Sequence, residues 1–103
     1  MKIISFFYLM FFIFFYLPVK SDDIFDKGRD VFLNVAVCSS CHMLAEAKSE
    51  GQIGPNLNEI QPDKMRVINV VTNGIGVMPS YEGQLTQAEI EAVAHYVSIS
   101  SNK

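Results

Sequence analysis

The sequence predicts a small helical domain that follows a short apolar N-terminal segment. Three stretches carry apolar residues at helical spacing, and the stretches between them are rich in glycine, proline and polar residues. No stretch has the strand–helix–strand alternation of a sheet protein. The chain has 103 residues, which is the size of one domain.

The first part of the chain is typical of a secretory signal peptide. After a basic start, residues 3–17 are apolar except for Ser5, and this run is shorter than the roughly 20 residues that a spanning helix needs. Val19 and Ser21 are small enough for the positions before a cleavage site, which predicts a signal peptide at residues 1–21. The site lacks the ideal Ala-x-Ala form, so an uncleaved N-terminal anchor is the alternative.

Residues 22–103 would then form the mature domain. This part carries six basic residues against eleven acidic ones, a net charge of −5. Such a surface does not suit nucleic acid or anionic lipid. It suits a partner protein with a basic docking surface, and we expect attraction at a distance to speed their encounter.

The first predicted helix begins at Asp22 or Asp23 and runs to about Val35. Its apolar positions form one face: Ile24, Gly28, Val31, Phe32 and Val35. A glycine inside a helix costs about 1 kcal/mol relative to alanine. Gly28 on the inner face therefore indicates a place where another backbone comes close.

The second predicted helix has Pro62 in its first turn and Asp63 near its positive end, and it ends at Asn73-Gly74. The residues that would form its inner face are Met65, Ile68 and either Val71 or Thr72. Residues 46–61, before this helix, are polar and contain two glycines and a proline, so we expect a loop there.

The third predicted helix begins with a capping box, in which Thr86 and Glu89 each satisfy a backbone N–H group of the other. Leu85 and Ile90 flank this cap as a hydrophobic staple. The residues expected on its inner face are Ile90, Val93, Ala94 and Val97. We expect the helix to fray from Ser98 onward.

Two cysteines and a histidine stand together in the sequence Cys38-Ser39-Ser40-Cys41-His42. Three residues are close to one helical turn, so both thiols point to one side. Each thiol can form a thioether with a vinyl group of a porphyrin, and His42 can bind the iron from the same side. The motif therefore predicts one haem c, attached covalently through Cys38 and Cys41.

Other interpretations of this cysteine pair are weaker. The two cysteines could form a disulfide as a thioredoxin-like redox pair, but such a pair is expected in a βαβ context, which the sequence lacks. A zinc site needs four ligands, and His95 is the only further cysteine or histidine in the chain. Chance would give the pattern in only about one random chain of this length in two thousand.

Pro55 is the predicted hydrogen-bond partner of His42. It lies a little over ten residues further along the chain, and its carbonyl oxygen can accept a hydrogen bond. A metal-bound histidine needs such a partner at its second nitrogen to fix the ring. Taken alone, the sequence Gly-Pro-Asn is more often a simple turn.

Met78 is the predicted second axial ligand of the iron. The proline that follows it favours an extended backbone, from which the thioether sulfur can reach a fixed point. Three alternatives remain open. Met43 lies on the same side of the haem as His42, Met65 belongs to a helical apolar stripe and is expected in the core, and His95 is expected to be a partly buried structural residue.

With these motifs in place, the mature chain resembles the small monohaem class I c-type cytochromes of bacteria. The matching features, in the order typical of the family, are Gly28-x-x-x-Phe32, Cys38 to His42, Gly54 to Leu57, Met78-Pro79 and Val93 to Val97. The resemblance implies an all-α fold of three main helices around one haem, with Gly28 and Phe32 meeting Tyr96 where the first and last helices cross. It also implies His42 and Met78 as axial ligands and Pro55 as the partner of His42.

These features together predict a one-electron carrier. Both axial positions of the iron would be filled, which leaves no site for oxygen or peroxide, so no enzymatic activity is expected. Thioether formation takes place outside the cytoplasmic membrane, which predicts a periplasmic protein that exchanges electrons with a donor and an acceptor protein through weak contacts. The alternatives are an electron-accepting subunit of a periplasmic dehydrogenase complex, and a haem sensor or peroxidase-like protein from which Met78 dissociates.

Overall fold

The structure, a computed structural model, describes residues 21–103. Its helices are α1 (Ser21–Asp30), α2 (Leu57–Ile60), α3 (Lys64–Asn73) and α4 (Gln87–Ser100), with a π-helical turn at Val31–Val35 and a 3₁₀ turn at Cys38–Ser40. Two short strands, β1 (Met43–Leu44) and β2 (Ser49–Glu50), pair antiparallel. The predicted all-α fold with three main helices is confirmed.

The predicted signal peptide, residues 1–21, lies outside the described residues except for Ser21. Among the helices from residue 21 onward, none is long and apolar enough to span a bilayer.

Helices α1 and α4 cross in close contact at Gly28. A Cβ atom at this position would overlap the carbonyl oxygen of Ala92 and lie 2.6 Å from Cβ of Tyr96. The glycine is therefore required by the close approach of the α4 backbone, as predicted. Tyr96 is fully buried at the crossing, and its ring meets Phe25 edge-on at a centroid distance of 4.9 Å and Phe32 at 5.7 Å.

The first helix differs from its prediction at both ends. Asp22 and Asp23 both lie inside α1, whose described range begins at Ser21. At the other end the helix widens into the π-helical turn, where the Ala36 N–H group donates to the Val31 carbonyl oxygen at 2.9 Å. The widened turn also leaves Val35 exposed instead of on the inner face.

The predicted loop at residues 46–61 contains more regular structure than expected. Strand β2 lies within it and pairs with β1, so that Met43 faces Glu50 and Leu44 faces Ser49. Helix α2 follows, and its N-cap is Asn56, whose side chain accepts a hydrogen bond from the Asn58 N–H group. These elements were missed because each is too short for an apolar pattern of its type to repeat along the sequence.

Helix α3 begins after Asp63, whose side chain accepts from the Arg66 N–H group at 2.8 Å. Asp63 is therefore the N-cap, and Pro62 precedes the helix instead of lying in its first turn. The inner face is formed by Val67 and Val71, whereas Met65 has 63% of its surface exposed. The prediction that Met65 belongs to the core is wrong. The helix ends at Gly74 with φ +76°, which a glycine adopts without strain.

Helix α4 has the predicted capping box, with hydrogen bonds from the Glu89 N–H to the Thr86 hydroxyl and from the Thr86 N–H to the Glu89 carboxylate. All four predicted inner residues of this helix are buried. The predicted fraying from Ser98 is wrong, because the helix continues to Ser100 and both Ser100 and Ser101 are buried. Asn58 holds this end by donating a hydrogen bond to the Ser101 carbonyl oxygen at 3.3 Å.

Candidate haem site

Cys38 and Cys41 lie on a single tight turn. The Cys38 carbonyl oxygen accepts hydrogen bonds from the N–H groups of Cys41 at 3.1 Å and His42 at 3.0 Å. Val37 enters this turn with a left-handed backbone, φ +53°. Burial raises the pKa of the Cys38 thiol to about 11, so this thiol is neutral at pH 7 before any thioether forms.

The imidazole of His42 is fixed by the loop that follows β2. Its Nδ1 atom lies 2.8 Å from the carbonyl oxygen of Pro55. A carbonyl oxygen can only accept, so Nδ1 carries the proton and donates, and Nε2 keeps its lone pair for a metal ion. Gly54 packs flat against the same ring, and its N–H group donates to the Cys41 carbonyl oxygen at 2.8 Å.

The backbone at His42 is held by two contacts that the sequence did not predict, from Ser49 and Gly51. The Ser49 hydroxyl donates to the His42 carbonyl oxygen at 2.9 Å. Gly51 lies against the Cys41–His42 peptide, and a Cβ atom there would stand 2.6 Å from the carbonyl carbon of Cys41. The glycine and the small polar residue were visible in the sequence, but nothing local linked them to the histidine.

Met78 stands at the end of a four-residue turn that begins at Ile75. The two residues exchange both backbone hydrogen bonds, Ile75 N–H to Met78 oxygen at 3.0 Å and Met78 N–H to Ile75 oxygen at 2.9 Å. Gly74 leads into the turn, with a hypothetical Cβ atom only 2.9 Å from the Met78 carbonyl oxygen. The Met78 side chain is partly buried and packs against the hydrophobic core.

Tyr81 connects the segment of Met78 with the segment of the cysteines. Its N–H group donates to the Val71 carbonyl oxygen at 2.9 Å, and its hydroxyl donates to the Ala36 carbonyl oxygen at 3.4 Å. Burial, and then the nearby thiols of Cys38 and Cys41, raise the pKa of Tyr81. No local sequence signal marks Tyr81, because its hydrogen-bond partner lies 45 positions away.

The three alternatives to Met78 as second axial ligand are Met43, Met65 and His95, and each has other surroundings. The sulfur of Met43 lies 3.2 Å from the side-chain nitrogen of Asn56. Met65 is largely exposed on α3. His95 is partly buried on α4, as expected for a structural histidine.

The residues present fit a c-type haem. Two thiols lie on one turn, and the adjacent imidazole keeps its Nε2 lone pair. The thioether of Met78 comes from a segment that Tyr81 joins to Ala36, two residues before that turn. Within residues 21–103, no group of three or more histidine, cysteine, aspartate or glutamate side chains could hold a metal ion on its own. A helical domain with this site has the features of a c-type cytochrome.

Comparison with known proteins gives the same class. The family model described as "Cytochrome C oxidase, cbb3-type, subunit III" matches residues 24–97. The chain is 32% identical over 84 residues to cytochrome c6 of Microcystis aeruginosa, covering 74% of this chain and 96% of that protein. It is 33% identical over 87 residues to the cbb3-type cytochrome c oxidase subunit FixP of Bradyrhizobium sp. (strain ORS 278), covering 79% of this chain and 29% of that protein.

A solved structure is similar over most of the chain. The c-type cytochrome SorU from Sinorhizobium meliloti superposes with a TM-score of 0.75 at 50% sequence identity, covering 80% of this chain and 95% of that chain. The chain therefore belongs to the cytochrome c family, as a small class I cytochrome with one covalently bound haem c. Electron transfer is the function that this membership supports.

Proposed function

We propose that the protein is a periplasmic one-electron carrier whose low-spin haem c has His42 and Met78 as axial ligands. The observation that carries the proposal is the contact between Nδ1 of His42 and the Pro55 carbonyl oxygen at 2.8 Å. This contact fixes the tautomer of the ring and its orientation, as a metal-bound histidine requires. Cys38 and Cys41, next to this ring, form the two thioethers.

The bound haem would supply a single iron that accepts and releases one electron. The protein residues keep the ligand geometry the same in both oxidation states. Pro55 and Gly54 hold the His42 ring, and the two hydrogen bonds between Ile75 and Met78 hold the backbone of the thioether ligand. A site closed by Met78 leaves no position for a small substrate, which supports a carrier without enzymatic activity of its own.

The periplasmic location rests on the N-terminal sequence. Residues 3–17 have the apolar character of a signal peptide, and thioether formation requires thiols and haem to meet outside the cytoplasmic membrane. We expect the haem-loaded protein, purified from periplasmic extract of cells expressing the full chain, to begin at Asp22. Recovery in the membrane fraction with an intact N-terminus would instead support the uncleaved anchor.

The visible spectrum tests the ligand assignment. We expect the wild-type protein to have a low-spin spectrum with the weak far-red band of a sulfur–iron bond, and Met78→Ala to lose this band. Met65→Ala is the matched control, because it removes an exposed methionine from α3. If Met78→Ala keeps the band, or if the ferrous wild-type protein binds carbon monoxide readily, the closed site is wrong and a sensor or peroxidase-like function becomes the better proposal.

A second candidate is the electron-accepting subunit of a periplasmic dehydrogenase complex. It is favoured by the exposed apolar side chains of Ile75 and Val77 beside Met78, since a permanent partner would cover such residues. Size-exclusion chromatography of periplasmic extract distinguishes the two functions. A free carrier elutes as a monomer of the mature domain, whereas a subunit elutes with its enzyme.

A further inference from the structure

Val37, the residue before the first cysteine, has a backbone conformation that its side chain disfavours. Its φ is +53° and its ψ is +45°, in the left-handed region. Glycine adopts this region freely, but a β-branched side chain crowds the neighbouring carbonyl oxygen there. Such strain persists only where the surroundings hold it, and it is concentrated at functional sites. The turn that carries Cys38 and Cys41 therefore begins with a residue that other groups must hold in place.

Two hydrogen bonds from Ser40 hold the carbonyl oxygen of Val37. The Ser40 N–H group donates to this oxygen at 3.1 Å, and the Ser40 hydroxyl donates to it at 2.8 Å. A serine hydroxyl commonly bonds to the carbonyl three residues earlier, but here the carbonyl belongs to a strained residue. If Val37 relaxed to an ordinary conformation, its carbonyl would turn away and both bonds would be lost. The Ser40 hydroxyl thus offsets part of the strain at Val37.

The two cysteines are held by different parts of the chain. Cys41 is fixed by the loop after β2, since the Gly54 N–H group donates to its carbonyl oxygen at 2.8 Å and Gly51 lies against its peptide. Cys38 follows Val37 directly, so the backbone of Val37 sets the direction from which Cys38 enters the turn. The position of the Cys38 thiol relative to the Cys41 thiol therefore depends on the conformation of Val37.

The contact between Ser40 and Val37 is local. It joins residues three positions apart, so it needs no other element of the fold and can form within the motif while the haem is being attached. The same hydroxyl lies 3.7 Å from Sγ of Cys41. Because the hydroxyl proton is donated to Val37, the contact with the sulfur does not compete with this bond.

We propose that Ser40 is a positioning residue for haem attachment: by holding Val37 in its left-handed conformation, it directs the Cys38 thiol to the same side as the Cys41 thiol. In each attachment the S–H group of a cysteine adds across a vinyl C=C bond. A carbon–sulfur bond forms and the hydrogen passes to the other vinyl carbon, so no oxidant or reductant is consumed. The inference rests on the proposed function, in which Cys38 and Cys41 form the two thioethers.

Alkylation of free thiols measures how many thioethers have formed. The haem-loaded protein is purified from cells that express the full chain, unfolded in denaturant, treated with iodoacetamide and analysed by mass spectrometry. A chain with two thioethers takes up no label, whereas a chain with one thioether takes up one label, which peptide mapping assigns to Cys38 or Cys41. Because the chains are unfolded before labelling, a variant that folds poorly is still measured.

The motif offers its own control variants. Ser39→Ala removes a hydroxyl from the neighbouring position, whereas the bonds to the Val37 carbonyl oxygen come from Ser40. Ser40→Thr changes the side chain but keeps the hydroxyl. Val37→Gly removes the strain, because glycine adopts the left-handed conformation without cost. Combining Val37→Gly with Ser40→Ala therefore shows whether Ser40 acts through Val37.

We expect Ser40→Ala to raise the fraction of haem-loaded chains with a free Cys38 thiol about fivefold, which corresponds to about 1 kcal/mol, the contribution of one hydrogen bond. Ser39→Ala and Ser40→Thr should stay at the wild-type level. In the Val37→Gly background, Ser40→Ala should have no further effect. A role of Ser40 in stability alone would leave both thioethers formed in every variant.

The inference would be overturned by an unchanged fraction in Ser40→Ala, by an equal rise in Ser39→Ala or Ser40→Thr, or by the same fivefold effect in the Val37→Gly background. The wild-type protein separates these outcomes from a failure of the proposed function. If its haem is lost on unfolding and both cysteines take up the label, the thioethers themselves are absent. If the wild type takes up no label, the proposed thioethers stand and the variants test Ser40 alone.

Discussion

Gly54 lies flat against the imidazole ring of His42. A Cβ atom on Gly54 would stand 2.5 Å from Cε1 and 2.8 Å from Nδ1 of the ring. Real Cβ atoms do not approach other atoms this closely, so the ring can keep its position only while residue 54 has no side chain. The absence of a side chain at Gly54 therefore allows the ring position in which Nδ1 donates to the Pro55 carbonyl oxygen.

Gly54→Ala should therefore displace the His42 ring and break its hydrogen bond to Pro55. Forcing a methyl group into a filled space costs about 1–3 kcal/mol. We expect the haem to remain attached through the cysteines while the visible spectrum becomes a mixture of high-spin and low-spin forms. Gly83→Ala is the control. It strains the backbone, since φ at Gly83 is +82°, but its added Cβ has no atom within 4 Å and so causes no overlap. An unchanged low-spin spectrum in Gly54→Ala would contradict this role of Gly54.

Gly28→Ala should destabilise the whole domain. Its methyl group would overlap the Ala92 carbonyl oxygen, and a backbone atom inside a helix cannot move aside as the end of a flexible side chain can. We expect the free energy of unfolding to fall by about 3 kcal/mol or more, measured by denaturant titration of the haem-loaded protein. A loss no larger than that of Gly83→Ala would show that α1 and α4 can separate at little cost.

Local sequence signals predicted the three main helices α1, α3 and α4, but not the short helix α2. The box of Thr86 and Glu89 determines where α4 starts, because both of its hydrogen bonds join residues three apart. The glycine at position 28 predicted the helix crossing, because a helix tolerates the cost of glycine only where space is needed. The geometry of His42 and Pro55 also agrees with the expected partner.

Residues whose roles depend on distant partners could not be predicted in this way. Tyr81 meets Ala36 across 45 positions, and Asn58 reaches Ser101 across 43. Neither contact has a spacing that marks it in the sequence. Met65 shows the converse error: its helical spacing suggested burial, but α3 places Val67 and Val71 toward α4 and turns Met65 to solvent.

Tyr81→Phe should loosen the segment that carries Met78. The variant keeps the ring and removes only the hydrogen bond to Ala36, which at 3.4 Å is long and contributes about 0.5–1 kcal/mol. If Met78 is the ligand, another ligand group should replace it once that group loses its proton at high pH. We expect the midpoint of this replacement to lie about 0.5 pH units lower than in the wild type, since one pH unit corresponds to about 1.4 kcal/mol. The measurement is a pH titration of the far-red band. An unchanged midpoint would show that Tyr81 holds the segment through its ring and backbone alone.

Tyr96→Phe should change how stability depends on alkaline pH. Burial, and then the hydrogen bond to Glu46 at 2.8 Å and the charge of this carboxylate, raise the pKa of Tyr96 above its ordinary value near 10. Arg29, whose Nε atom lies 3.1 Å from the same carboxylate, offsets part of this effect. The folded protein therefore holds the phenol proton more tightly than the unfolded chain does.

The sign of the effect follows from this difference in proton binding. Below about pH 10 the phenol is protonated in both states, and the contribution of Tyr96 to stability is fully present. Above pH 10 the unfolded chain loses its proton first, so unfolding becomes more favourable as the pH rises toward the pKa of the folded state. Tyr96→Phe has no such proton. We expect its free energy of unfolding, from denaturant titrations between about pH 8 and pH 12, to fall less steeply than that of the wild type. If the two proteins lose stability in parallel as the pH rises, the Tyr96–Glu46 contact opens before the phenol ionises. The structure around Tyr96 would then open locally, with α1, α4 and the loop of Glu46 separating without global unfolding.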